Sequence, residues 1–223
     1  MGDVKPIIAV TGMKREASVL AGLGVNVITG GGTAERLARE LAEQSAGAAG
    51  IISFGMAGAL DAGLRIGDWV VGTSLTGSWE GHCDGPWAEA LAARMPDARR
   101  GCCYADGRLI ADPAQKRAIG QNLGALVVDM ESHIAAQAAA AAGVPFAILR
   151  CVSDEIDTAL PPAIAVAMRP DGGIALGAVL GSIVKNPGQL PELLRNSAGF
   201  SRAFAALRQG AELAGPHLAF DRR

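Results

Sequence analysis

Aromatic side chains are scarce in this chain of 223 residues, which holds one Tyr, three Trp and five Phe. Too few are present to build the stacking platforms on which single-stranded nucleic acid is bound. Charge of one sign is missing as well. Lys and Arg number 20 against 22 Asp and Glu, a formal net charge of −2. That excludes the basic footprint of a nucleic-acid binder. Cysteine is limited to Cys83, Cys102, Cys103 and Cys151, two of them adjacent and none in a CxxC pair. Such spacing supports neither a disulfide framework nor a zinc site, so buried thiols are expected and no metal. No apolar run is long enough to span a bilayer as a helix. Met1 to Pro6 lacks the basic-then-apolar pattern of a signal peptide, from which a cytoplasmic location is expected.

Apolar residues make up half of the chain and Gly numbers 30, so a large core is easily filled. The length suits one α/β domain over residues 1–223. Short β-branched or apolar runs at Ile7–Val10, Val25–Thr29, Gly50–Phe54, Gly67–Gly72 and Leu126–Val128 predict strands, as does the longer run Pro145–Val152. Helical patterns open at Lys14 and at Asp112-Pro113, and run over Ala34–Ser45, with Thr33 as cap, and over Ser132–Ala142. This alternation predicts a three-layer α/β/α fold with a central mixed, mostly parallel sheet. Residues 76–87 read as a surface or pocket-rim loop; His82, Cys83 and Asp84 match no standard metal spacing. From residue 158 onward the pattern changes to Pro-rich breaks and apolar residues at helical spacing, which predicts a helical C-terminal extension over 158–223.

Ligands in open α/β sheets sit beyond the carboxyl ends of the strands, and acids cluster there. Val127-Val128 runs into Asp129-Met130-Glu131, and Ile148–Val152 runs into Ser153-Asp154. Asp129 either caps the following helix or joins a site. Two strand ends that each deliver a carboxylate outline a general acid–base pair. Glu16 lies in a first helical turn beyond the first strand, where a solvated acid facing the helix dipole is the plainer reading. Gly30-Gly31-Gly32 permits close backbone approach to a ligand, yet it is neither a Walker A loop nor GxGxxG.

These strand ends resemble the purine/uridine phosphorylase superfamily, which includes the methylthioadenosine/adenosylhomocysteine nucleosidases. Three stretches carry the likeness: Thr11-Gly12-Met13-Lys14-Arg15-Glu16, Phe54-Gly55-Met56-Ala57-Gly58-Ala59-Leu60, and Val128-Asp129-Met130-Glu131 with Val152-Ser153-Asp154. The branch termed hopanoid-associated phosphorylases is closer still. It is similar in Gly30-Gly31-Gly32, Ser53–Gly58, Val128–His133, Leu160–Ala163 and Arg169–Gly172.

The resemblance implies cleavage of the N-glycosidic bond of adenosylhopane, releasing adenine, with no cofactor. It implies Asp154 as the acid that protonates the departing purine. Glu131 would bind the ribose hydroxyls and stabilise an oxocarbenium-like transition state, and Glu16 would orient water. Met130 would pack on the sugar, and Gly12, Gly31, Met56, Ala57, Gly58, Asp129 and Ser153 would line the substrate site. For Asp154 to act as an acid near neutral pH, burial must raise its pKa.

Two departures bear on the nucleophile. The segment between Met13 and Thr29 is shorter than in ordinary nucleosidases, which opens one side of the pocket to a bulky 5′ substituent. Bacterial purine phosphorylases carry phosphate ligands, an arginine and a serine, at the positions of Ser53 and Met56. Phosphate needs Arg or dense N–H donors, and Glu16 would repel it. Water is therefore expected over phosphate, with Lys14, Arg15 and the three glycines as the alternative phosphate site. Ile174, Leu176, Val179, Leu180, Ile183 and Val184 either line a pocket for a triterpenoid tail, bringing peripheral membrane contact, or pack as an ordinary helix face. A general methylthioadenosine/adenosylhomocysteine nucleosidase and a catalytically silent nucleoside- or lipid-binding protein stay open as rivals. A homodimer or larger homo-oligomer follows from the resemblance alone.

Overall fold

Ile7–Thr11 (β1) is buried at every position, which explains its unbroken apolar sequence. In the computed structural model, which describes residues 5–30, 33–161, 185, 188 and 190–221, β1 sits between Val25–Thr29 (β2) and Gly50–Ala59 (β3), parallel to both. The short helix Lys14–Ser18 (α1) and the helix Ala34–Gln44 (α2) make the crossovers. Leu37 and Leu41, one turn apart, form the buried stripe of α2. Thr33 stands at its N-cap without a side-chain cap bond, and Ser45 begins a separate 3₁₀ turn.

The remaining strands are Trp69–Gly77 (β4), Gly81–His82 (β5), Arg99–Ala105 (β6), Ala125–Asp129 (β7) and Phe146–Asp154 (β8). Between them lie Gly85–Arg94 (α3), Pro113–Leu123 (α4) and Ser132–Ala142 (α5); Leu190–Ala214 (α6) follows later in the chain. The sheet is mixed. β3 pairs β8 in parallel along most of its length, then turns its last residues, Gly58 and Ala59, to β7 in antiparallel register. β8 also pairs β4 antiparallel, while β4 and β6 and then β6 and β7 pair in parallel. The pairings β3·β8·β4·β6·β7·β3 thus close a ring, with β1 and β2 attached outside it through β3.

The stretch expected to be a loop, residues 76–87, is more ordered than its sequence suggests. It holds the end of β4, the two-residue strand β5 and the start of α3, where Asp84 accepts a hydrogen bond from Trp87 N at 2.8 Å. Asp84 is thereby a helix cap, Cys83 is buried, and His82 points to solvent, so the three do not converge. Among the described residues no group of three or more His, Cys, Asp or Glu could hold a metal ion. Strand β6 was not evident either: Arg99 and Arg100 open it, and it is a strand because β4 and β7 flank it.

On the face opposite α2 and α5, α6 packs Ala203, Leu207, Ala211 and Ala214 against the sheet beside Phe54, Leu149 and Cys151. None of the helices among the described residues is long and apolar enough to cross a membrane. Gly31, Gly32 and residues 162–184, with the apolar stretch Ile174 to Val184 read as either a lipid pocket or an ordinary helix face, lie outside the described residues.

Candidate active site

A buried arginine organises the acids. Arg150 sits in the middle of β8, wholly excluded from solvent. A guanidinium in such a place needs carboxylate partners, because desolvating an unpaired charge costs several kcal/mol by the usual order of magnitude. Its Nη2 donates to Asp129 Oδ1 at 2.9 Å, to Ser132 Oγ at 3.1 Å and to Ser53 Oγ. Nη1 donates to the Met56 carbonyl at 3.4 Å. Glu131 Oε2 lies 3.9 Å from Nη2.

Asp129 is saturated with donors. Besides Arg150, its carboxylate accepts from Glu131 N at 2.9 Å, Ser132 N at 2.7 Å and Ser132 Oγ at 2.7 Å. The hydrogen bonds bear the capping reading. Asp129 satisfies the free N–H groups at the start of α5 and anchors the arginine.

Glu16 is buried, 2% exposed. It is not the solvated acid of the plainer reading. From the first turn of α1 its Oε2 reaches back to Met13 N at 2.8 Å, as in a capping box. Oε1 crosses to β3 and accepts from Met56 N at 2.7 Å. Burial pushes its pKa up, against the opposing pull of the Met56 N–H and of Arg150. Gly55, at φ 151°, makes room for this contact: a Cβ there would stand 2.8 Å from Glu16 Oε1 and 3.0 Å from Arg150 Nη1.

Glu131 occupies the N-cap position of α5 and lies against Gly12 and Gly30. A Cβ on Gly12 would come within 3.0 Å of Glu131 Oε1. Burial drives the Glu131 pKa up to about 8; Arg150 opposes the rise, and Asp129 and Glu16 add to it. Burial thus favours the neutral form of Glu131, and a neutral carboxyl can both donate and accept.

Asp154 stands apart from this cluster, at the far end of β8. Its Oδ1 accepts from Ser153 Oγ at 2.7 Å, and its Oδ2 is ion-paired with Lys116 of α4. Ser153 Oγ is also 3.2 Å from the Ala57 carbonyl. Gly58 leaves space beside the acid, since a Cβ there would sit 3.0 Å from Oδ2. The expected lone buried acid is instead half of a salt bridge. Met56 turns its side chain into the apolar core, so only its backbone faces the acids. Met130 is half-buried.

The arrangement therefore holds three carboxyls, Asp129, Glu16 and Glu131, around one guanidinium, and a fourth, Asp154, with a cation of its own. Neither cation stood out in the sequence. Arg150 was absorbed into the apolar run of β8, although a charge inside a central strand is itself a signal. Lys116 precedes Arg117 in an ordinary amphipathic helix, and nothing local marks which of the two turns inward.

Sequence comparison matches residues 2–168 to the phosphorylase superfamily. No curated protein matches the chain. Among solved structures it is similar to an S-adenosylhomocysteine nucleosidase from Streptococcus pyogenes in complex with 5-methylthiotubericidin. The TM-score is 0.59 at 19% identity over 92% of this chain and 98% of that one. It is also similar to the 5′-methylthioadenosine/S-adenosylhomocysteine nucleosidase of Helicobacter pylori, with TM-score 0.61 and 14% identity over 94% and 99% of the two chains. The futalosine hydrolase of Helicobacter pylori gives TM-score 0.60 and 14% identity over 91% and 97%. At these identities the likeness is one of fold.

Proposed function

The chain belongs to the phosphorylase superfamily, and on that premise we propose that it cleaves the N-glycosidic bond of a 5′-substituted adenosine and releases adenine. The observation that carries this reading is the separation of the acids. Glu16 and Glu131 flank Arg150, whereas Asp154 is held by Ser153 and Lys116. Breaking the bond makes the ribose positive and the purine negative, so it needs anionic groups at one end and a proton donor at the other.

In this reading Glu131 binds the ribose hydroxyls, and its carboxyl oxygens stabilise the sugar as it becomes cationic. Asp154 protonates the departing adenine, and Met130 packs on the sugar. Glu16 aligns the nucleophile. Both its oxygens are fixed by backbone N–H groups, and each keeps a lone pair for a water molecule. Burial raises its pKa, which makes its carboxylate a stronger base.

Water is preferred to phosphate for a reason of charge. An arginine does reach Ser53, from the neighbouring strand, but its Nη2 is already held by Asp129, Ser132 and Ser53 and its Nη1 donates to the Met56 carbonyl. The 5′ group is a hopane side chain on the motif likeness at Ser53–Gly58 and Val128–His133, and assembly as a homodimer or larger homo-oligomer rests on the same likeness.

The test is adenine release from methylthioadenosine and from an adenosylhopane mimic, each with and without phosphate. Phosphate-independent release, faster with the hopane mimic, is the expected result. Strict phosphate dependence with ribose 1-phosphate as product overturns water as nucleophile, and equal rates on the two substrates overturn the hopane assignment. No adenine from either overturns the reading itself.

A further inference from the structure

Lys116 is wholly buried on the inner face of α4, an unusual place for an ammonium. Its Nζ faces three oxygens: Asp154 Oδ2, the Glu155 carbonyl at 3.2 Å and the Thr158 carbonyl at 3.1 Å. Three acceptors match the three N–H groups of an ammonium. They also match the alternative. With the proton on Asp154 Oδ2, a neutral amine still donates to both carbonyls and accepts the carboxyl O–H with its lone pair. One proton can therefore sit on either atom while no heavy atom moves and no hydrogen bond is lost.

The surroundings hold this pair in register. Asp112 caps α4 by accepting from Ala114 N at 3.0 Å, and Arg117 of the next position pairs with Asp157 on the same loop that Lys116 grips. Ser153 fixes the other carboxylate oxygen at 2.7 Å. Asp154 is reachable from solvent, with a side chain 11% exposed, whereas Lys116 is not. Any proton that Lys116 gives or receives must pass through Asp154.

We propose that Lys116 is a positioning residue that stores the proton which Asp154 delivers to the departing base. The inference rests on the nucleosidase reading above. As the bond between C1′ and the purine nitrogen breaks, its electron pair goes to the purine. The shared proton passes from Nζ to Asp154 and on to a purine ring nitrogen, leaving a neutral amine beside the carboxylate. Water then adds to C1′ and loses its proton to Glu16, after which solvent returns a proton to the pair through Asp154 and takes one from Glu16. The pair needs no lone acid held neutral by burial.

The experiment compares wild type, K116M, K116R and D154N on methylthioadenosine and on a nitrophenyl riboside, whose departing nitrophenolate needs no proton. K116M should lose adenine release about a hundredfold or more, as D154N does, the scale of a lost general acid. It should keep nitrophenol release within about threefold, because other groups in the site supply the remaining catalysis. Its residual adenine release should climb as pH falls, since Asp154 then takes its proton from solution. Arginine cannot give up its proton, so K116R should also fail on methylthioadenosine and retain the nitrophenyl substrate.

Equal loss on both substrates would make Lys116 a structural residue and overturn the proposal. So would adenine release at the wild-type rate by K116M or K116R. A wild-type enzyme that cleaves neither substrate overturns the nucleosidase reading first, an outcome visible without any variant.

Discussion

Arg150 Nη2 donates to Asp129 Oδ1 at 2.9 Å, and both side chains are 1% exposed. The middle of β8 and the end of β7 are thus locked together beneath the site. Removing one partner of a buried pair leaves the other charge uncompensated, which typically costs about 3–5 kcal/mol. R150M is expected to lose that much stability in urea denaturation. A midpoint equal to wild type would mean that the acids hold their positions without the arginine.

Glycine spacing makes a different prediction, on activity rather than stability. A Cβ at Gly12 or at Gly58 would stand 3.0 Å from Glu131 Oε1 or Asp154 Oδ2. In each case a carboxylate, the end of a flexible side chain, is what must give way. G12A and G58A should melt close to wild type while adenine release falls about a hundredfold, the scale of a displacement of about 1 Å. Unfolding of either variant at low temperature would show instead that the space is structural.

Glu131 ties stability to pH. Its pKa rises from 4.5 to about 8 on folding, mainly through burial. Between those values the folded state binds a proton that the unfolded state has released, so stability falls as pH rises. The contribution is fully present below pH 4.5 and is lost as pH passes through about 8. E131Q carries no such proton. Plotted against pH, the stability of wild type minus that of E131Q should decline over this interval, and a flat difference sinks the assignment.

The thiols give a chemical check on burial. Desolvation pushes Cys83 and Cys151 to about 12 and Cys103 well above its usual value. Thiolate is the reactive form. Alkylation of the native protein at mild alkaline pH, followed by mass spectrometry, should modify Cys102 alone, the one half-buried thiol of the four. Rapid labelling of Cys103 would contradict the packing of β6 between its neighbours.

Much of this architecture is written locally. Helix α5 spans Ser132–Ala142 as its alanine-rich pattern predicts, because its start and its packing face agree. Asp129, Glu131, Glu16 and Asp154 lie at element ends that hydrophobic periodicity marks. Strand β6 escaped because its arginines and cysteines carry little strand propensity, and only its neighbours in the ring make it one. Asp84-Gly85-Pro86 carries a cap-and-proline signature akin to that of Asp112-Pro113, yet the polar residues around it mask the helix start. Arg150 and Lys116 lay beyond local reading, since what makes each tolerable is an acid tens of residues away: Asp129 for the first, Asp154 for the second.

The ring of strands has a consequence for how the molecule comes apart. β3 belongs to three ladders at once, with β1, β8 and β7. A strand bonded in this way cannot peel from an edge, so its amides should exchange with solvent only when the whole structure opens. Met56, whose amide binds Glu16, and Gly58, beside Asp154, both lie on it. The groups that Glu16 and Asp154 lean on are therefore carried by the part of the chain that breathes least.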